Sequence, residues 1–375
     1  MDSRKRIAAI LDGQEPDRVG FQDTDFFSDT IERWHAEGLP RAVDVVKPSL
    51  PWLNVPALKY FGDDIYVVWT DISPKYDAID YQVGEDWCIA KDEFGATKKS
   101  WTTRSASPQY LEPVVKTPQD FREKIDPLLD HEDMRRVSSS HYPFKHELAQ
   151  MVNRFQHEFF VVVGMVGPFE YSTYLCGGLA ATLIFVMKNQ DFASYMFSRI
   201  GDFLRRIGEG YIEAGVDGLW LFDDQGSQDG PFFSPRLYAK LLKPAHEAVC
   251  EPFRRRRLPR LIHSDGYLEP IVSYLIEAGF VALHPLQNKV GMDVRRLKEK
   301  YGKELTLIGG IDTRILSSGD LRAIENEVRS KIGIAGQGGG YIVASDGPVP
   351  PTISLASYRF FVEQARKYGS YPLKA

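Results

Sequence analysis

Along the second half of the chain, short apolar runs rich in Val, Ile and Leu alternate strictly with longer segments of helical spacing, and no other feature constrains the fold as much. The runs predict strands over Phe159–Met165, Gly218–Phe222, Leu258–His263, Phe280–His284, Leu305–Gly310 and Tyr341–Ala344. The helical patterns are Ala193–Ala214, Pro235–Phe253, Leu268–Ala278, Val290–Tyr301, Leu321–Ile332 and Ser354–Lys367. Strand and helix in strict alternation mean a parallel sheet with right-handed crossovers. Two earlier runs, Arg18–Asp23 and Ile65–Thr70, bring the strands to eight. Eight such units predict an α/β fold of the (β/α)8 TIM-barrel type rather than an open doubly wound sheet. No Gly-rich phosphate fingerprint follows the first strand, which agrees. The stretch from about Val83 to Arg154 is less regular and is expected to be an excursion of hairpin and helices over the barrel, between its second and third strands. No repeat, low-complexity tract or Pro-rich linker divides the chain, so residues 1–375 are expected to form one domain.

With 375 residues, 43% hydrophobic and 26% charged, such a chain can bury its core without disulfides or a structural metal. A formal charge of −5 and a pI near 6.0 give no basic face for nucleic acid. The most basic run, Arg254 to Arg257, ends a helical pattern, where cations favour the helix dipole. Cys88, Cys176 and Cys250 are far apart and form no C-x-x-C pair, which argues for a reducing compartment and against a thiolate-rich zinc site. No apolar run approaches the ~18 residues of a membrane span, and Met1 to Leu11 is too short and too charged for a signal peptide. A cytoplasmic location is expected.

In barrels of this kind, chemistry sits where strands run out into the following loops. The polar residues there are Gln22-Asp23-Thr24-Asp25, Thr70-Asp71, Glu170 with Tyr171 and Tyr174, and Asp223-Asp224-Gln225. Then come His263-Ser264-Asp265-Gly266, His284-Pro285-Leu286-Gln287, Gly309-Gly310-Ile311-Asp312 and Ser345-Asp346-Gly347. For Asp25, Asp223 and Asp312, capping the next helix is an equal alternative to a role in the site. His263 and Asp265 stand two apart on an extended segment and point the same way. They suit a zinc ion, or the carboxylate holds the imidazole in one tautomer.

These segments resemble the uroporphyrinogen decarboxylase superfamily across nearly the whole chain. Arg4 to Arg18 is similar to its opening helix and strand entry, and Gly309-Gly310-Ile311-Asp312 to one of its strand ends. Gly339 to Ile342, followed by Ser345 to Pro351, resembles its last strand and turn. The resemblance implies one of two chemistries. One is the cofactor-free decarboxylase of haem biosynthesis. There Trp69-Thr70-Asp71-Ile72 would put Asp71 at the carboxylate that meets pyrrole N–H groups, with Tyr174 and Asp224 orienting the substrate. The other is methyl transfer involving corrinoid proteins, generally with zinc.

Two departures favour the second. Where the decarboxylase carries an arginine-rich segment for a substrate with eight carboxylates, this chain has Asp23, Asp25 and Phe26, and like charges facing a polyanion cost several kcal/mol. The methyltransferase pattern places His263 on the histidine of the zinc motif, with Asp265 and Asp346 standing where its two cysteines would be. Carboxylates in place of thiolates make a harder, more Lewis-acidic ion, suited to polarising an ether oxygen. The resemblance thus implies metal held by His263, Asp265 and Asp346, with Asp71, Asp224 and Tyr174 as catalytic groups. Asp23, Asp25, Phe26, Glu170, Tyr171, Asp223, Gln287 and Asp312 would contact a small substrate. The base-off cobalamin signature Asp-x-His-x-x-Gly is absent, so the corrinoid would arrive on a separate carrier protein. Relatives with this barrel are often dimers, so a homodimer is a further expectation. A non-catalytic ligand-binding barrel is disfavoured, because so many convergent polar groups cost stability if left unpaired.

Overall fold

A strand covered on both faces sends alternate residues into two separate cores. The eight apolar runs do so here. The computed structural model of the chain describes residues 1–23, 26–43, 55–69, 71–102, 107–132 and 145–373. The strands are β1 (Gly20–Phe21), β2 (Ile65–Trp69), β3 (Ile79–Val83), β4 (Trp87–Lys91), β5 (Thr97–Trp101), β6 (Gln109–Glu112), β7 (Phe160–Val166), β8 (Gly218–Phe222), β9 (Arg260–His263), β10 (Ala282–His284), β11 (Thr306–Ile308) and β12 (Tyr341–Val343). Eight of them form one curled sheet in the order β1-β12-β11-β10-β9-β8-β7-β2. Every pairing in it is parallel. The fold is TIM-barrel-like.

One residue set from these strands fills the inside of the curl: Ile65, Val162, Trp220, Leu261, Ala282 and Ile308 among others. The intervening residues, such as Val163, Leu221, Ile262 and Leu283, face the helices in a second, larger core. The helix Ser3–Leu11 closes the floor by inserting Ile7 and Ile10 into the inner core.

The first and last strands of the sheet meet at a seam that side chains bridge. Phe21 O accepts from Asp64 N at 2.9 Å, and Phe21 N donates to Asp64 Oδ2 at 2.9 Å. Ile65 N donates to Gln22 Oε1 at 2.8 Å. Asp64 is fully buried and also receives Arg6, both terminal nitrogens of Arg18, and the Ser3 hydroxyl, at 2.8 to 2.9 Å. Arg6 itself is buried and has Asp17 as a second partner at 2.8 Å.

Two features differ from the sequence expectation. The excursion is chiefly a four-stranded antiparallel sheet, ordered β3-β4-β5-β6, and it begins at Ile79 rather than near Val83. Its central turn is tied by Asp92, which accepts from Phe94 N at 3.1 Å and Ala96 N at 3.0 Å. That turn seats Phe94 against Tyr171 and Tyr174, with ring centroids 5.2 and 5.0 Å apart. The expected helix Pro235–Phe253 is two helices, Pro235–Leu241 and Lys243–Arg255. Pro244 lies in the first turn of the second, where its missing N–H ends the continuous ladder. Among the described residues no single helix is long and apolar enough to cross a membrane.

Replacing Asp64 with alanine leaves the buried guanidinium of Arg6 short of a partner and opens the seam. A loss of about 3–5 kcal/mol is expected in denaturant unfolding. A loss below about 1 kcal/mol would show that the ladder elsewhere suffices.

Candidate functional site

The strand period that buries Trp220, Leu261 and Ala282 inside the curl turns Phe222, His263 and His284 inward two residues later, at the C-terminal end. They join Trp69 in a belt of rings. Trp69 lies 4.5 Å from Phe222, Phe222 stacks on His263 at 5.0 Å, and His263 lies 4.9 Å from His284. Two residues further on, the same period carries Asp224 and Asp265.

Asp224, His263 and Asp265 each present one ligand-type atom, all within 4.8 Å of one another. His263 Nε2 stands 3.6 Å from Asp224 Oδ1. The arrangement is held from three sides. Asp265 N donates to Asp224 Oδ1 at 2.9 Å, which locks the two acidic residues together. Gln287 Nε2 donates to Asp265 Oδ1 at 2.9 Å, while its Oε1 accepts from Gly266 N at 2.9 Å, so the amide can point only one way. His263 Nδ1 meets His284 Nδ1 at 2.8 Å. Burial, followed by the nearby His263, holds the His284 imidazole well below its usual pKa. Beneath the two aspartates the loops touch backbone to backbone: a Cβ on Gly266, which has φ +94°, would fall 2.3 Å from the Gly226 carbonyl carbon. Only glycine fits there.

Beside this cluster lies Glu170, in the first turn of the helix Pro168–Cys176. Tyr174 OH donates to Glu170 Oε1 at 2.6 Å, and the Asp224 backbone N–H also points at the carboxyl. Burial first, then the charge of Asp224, push Glu170 up to about 8, against the opposing pull of the Tyr174 bond. Tyr174 is itself raised by burial and by Glu170. Tyr110 of β6 is raised by burial and by the charges of Asp92 and Glu170, which places the small sheet at the edge of the same cluster.

The other expected site residues divide plainly. Asp346 is not gathered with His263 and Asp265; Asp224 is. Asp346 Oδ2 accepts from Asn288 N at 3.1 Å, and its Oδ1 from Thr313 N at 3.0 Å and the Thr313 hydroxyl at 2.9 Å, so it ties three loops together. Asp71 forms an ion pair with Lys75 and accepts from Ser73 N at 3.0 Å. Asp223 caps the Glu170 helix, accepting from Glu170 N at 2.7 Å, and bonds His246 Nε2 at 2.7 Å. Gly167 admits it, since a Cβ there would overlap the Asp223 side chain at 2.3 Å. Asp312 caps its own helix and pairs with Arg314 at 2.6 Å. Asp23 is buried, bound to Ser345 N at 2.7 Å and Tyr358 OH at 2.7 Å. Phe26 lies in the outer core among Trp34, Phe61 and Tyr358, and Tyr171 packs between Phe94 and Phe203. Asp25 falls outside the described residues. His284 stands at a strand end in the sequence, with no role expected of it there. The signal was there: it ends an apolar run, as His263 does.

The family model for uroporphyrinogen decarboxylase (URO-D) matches residues 95–368. The chain belongs to the URO-D family. Among solved structures, this URO-D protein is similar to a methyltransferase from Methanosarcina mazei, with a TM-score of 0.68 and 17% identity over 98% of this chain and 99% of the other. Looser likenesses are a B12-independent methionine synthase from Shewanella sp. W3-18-1 (TM-score 0.47, 8% identity, 93% and 96% covered) and a putative one from Listeria monocytogenes (TM-score 0.46, 12% identity, 94% and 98% covered). No curated protein matches the chain by sequence.

An acid whose pKa rises on folding binds its proton more tightly in the native state, so stability falls as pH climbs from the unfolded value toward the folded one. For Glu170 that window runs from 4.5 to about 8. Glu170→Gln removes the dependence. The variant is expected to match the parent near pH 4 and to exceed it near pH 8 by on the order of 4 kcal/mol in urea unfolding. A stability difference that stays constant across this range contradicts the assignment.

Proposed function

We propose that this URO-D family member is a metal-assisted methyltransferase, built as a single (β/α)8-barrel domain over residues 1–375. It would move a methyl group from a small methylated, methoxylated compound to a corrinoid on a separate carrier protein. The observation that carries this reading is the convergence of Asp224, His263 and Asp265 at the strand ends. One imidazole and two carboxylates are a donor set that zinc accepts. The 3.6 Å between His263 Nε2 and Asp224 Oδ1 is close to the edge, roughly 3.3 Å, of a tetrahedron with arms of about 2.0–2.1 Å. Two carboxylates also balance the charge of a divalent ion.

A divalent ion held there supplies Lewis acidity to an ether oxygen. The chain's own residues do the rest. Asp224 and Asp265 hold their bearing through their mutual backbone bond and Gln287. The ring belt of Trp69 and Phe222 offers an apolar wall to the body of the substrate. A docked corrinoid carrier would supply the nucleophile for the methyl carbon, and the electron pair of the broken carbon–oxygen bond would stay on the donor's oxygen. Glu170, protonated near neutral pH, gives the departing oxygen its proton and is recharged from solvent. The likeness in fold to the Methanosarcina methyltransferase supports this reading. So does the state of Asp71: the decarboxylase chemistry needs that carboxylate to meet a cationic intermediate, and Lys75 already pairs with it. A cytoplasmic location and a homodimer complete the reading.

Elemental analysis after zinc saturation and desalting tests it. One equivalent of zinc is expected in the parent protein and in Asp346→Ala, and none in His263→Ala or Asp224→Ala. A parent protein that retains no divalent metal sinks the proposal. Loss of zinc from Asp346→Ala with retention in Asp224→Ala restores the ligand set expected from the sequence.

A further inference from the structure

β9 and β10 run side by side, and their register sets His284 directly against His263. Both rings stand above inner-core residues, Leu261 and Ala282, and so turn into the curl together. Their Nδ1 atoms are 2.8 Å apart. At that distance one proton lies between them, so one ring donates and the other accepts. The surroundings decide which. His263 turns its other nitrogen, Nε2, toward Asp224, where carboxylates or a cation can compensate any charge the ring takes on. His284 is buried, and its ring packs edge-to-face with fully buried Trp220 at 5.2 Å. A ring nitrogen that ligates a cation carries no proton, so a neutral His263 that offers Nε2 to the ion keeps its proton on Nδ1. His284 is then the acceptor, and the shared proton belongs to His263.

We infer that His284 is a positioning residue: it accepts the Nδ1–H of His263 and thereby aims the His263 Nε2 at Asp224 and Asp265. The inference rests on the metal-assisted reading above. A ligating histidine is commonly held through its second nitrogen by a carboxylate or a carbonyl. A neutral imidazole in that place adds no negative charge to the site. Asp224 and Asp265 alone then balance a divalent ion, which keeps more of its Lewis acidity than it would beside a third anion.

Two variants and two readouts test this. His284→Asn offers a carbonyl oxygen near the position of the imidazole Nδ1. His284→Phe keeps ring volume and removes the acceptor. In zinc-loaded protein carrying 15N-labelled histidine, long-range 1H–15N spectra are expected to show His263 protonated at Nδ1 and His284 protonated only at Nε2. A proton on Nδ1 of His284 in the zinc-loaded protein overturns the inference. In chelator competition with zinc alone, His284→Phe is expected to bind roughly 10- to 100-fold more weakly, and His284→Asn to recover most of that loss. Parent-like affinity in His284→Phe also overturns the inference, while leaving the metal site standing. A parent protein that binds no zinc removes the metal-assisted reading and this inference with it. Should His284→Phe fail to fold, the asparagine variant and the spectra of the parent carry the test.

Discussion

Closing a curled sheet requires hydrogen bonds between its first and last strands, and here a buried carboxylate supplies much of what a ladder would. Asp64 takes a backbone N–H of β1, gives its own N–H to β1, and gathers Arg6 and Arg18 around its oxygens. An unpaired buried charge is costly, so this carboxylate constrains its neighbours strongly. The helix Ser3–Leu11 must lie across the floor to deliver Arg6, and β1 must sit at one stagger to deliver Phe21 N. Stagger decides which residues face inward along a strand with a period of two. The inward turn of His263 and His284 at the far end depends on this closure at the floor.

The site shows how a fold converts stagger into chemistry. Neighbouring strands β8, β9 and β10 carry Phe222, His263 and His284 in one layer, and the residues two steps beyond β8 and β9 form the acidic rim. Little of this relies on side-chain flexibility. Asp224 and Asp265 are fixed by a backbone N–H, Gln287 by a backbone donor, and Glu170 by a helix whose cap, Asp223, is bonded to buried His246. Carboxylates this close repel one another, and the protein meets that cost by leaving one of them, Glu170, protonated near neutral pH.

What could be read from the sequence depended on how local the signal was. The eight barrel strands were legible, because runs such as Phe160–Val166 and Gly218–Phe222 are apolar throughout, and only their ends differ by one or two residues. The pairing of His263 with Asp265 was legible because it follows from period two alone. Asp224 as their companion, in place of Asp346, was not: it depends on a loop contact between β8 and β9 that no spacing reveals. Phe26 and Tyr171 were expected at the substrate, but aromatic residues near strand ends fill the outer core as readily as they line a pocket, and here they do so. Strands β3 to β6 were legible only as an unplaced hairpin in the excursion, because their residues are half-buried or exposed and lack the apolar signature of the others.

The contact between Gly226 and Gly266 has a consequence for how such a protein can diverge. With two loops in backbone contact, neither can accept a side chain or an insertion at that point without displacing the other. One wall of the mouth is therefore frozen, and it is the wall that bears Asp224 and Asp265. The edge of the cluster beside Glu170 is lent by a separate antiparallel sheet that reaches the Glu170 helix through Phe94, and such a module can be rebuilt, lengthened or exchanged as a unit. Relatives that share the frozen wall and differ in the module would keep the reaction and change the customer.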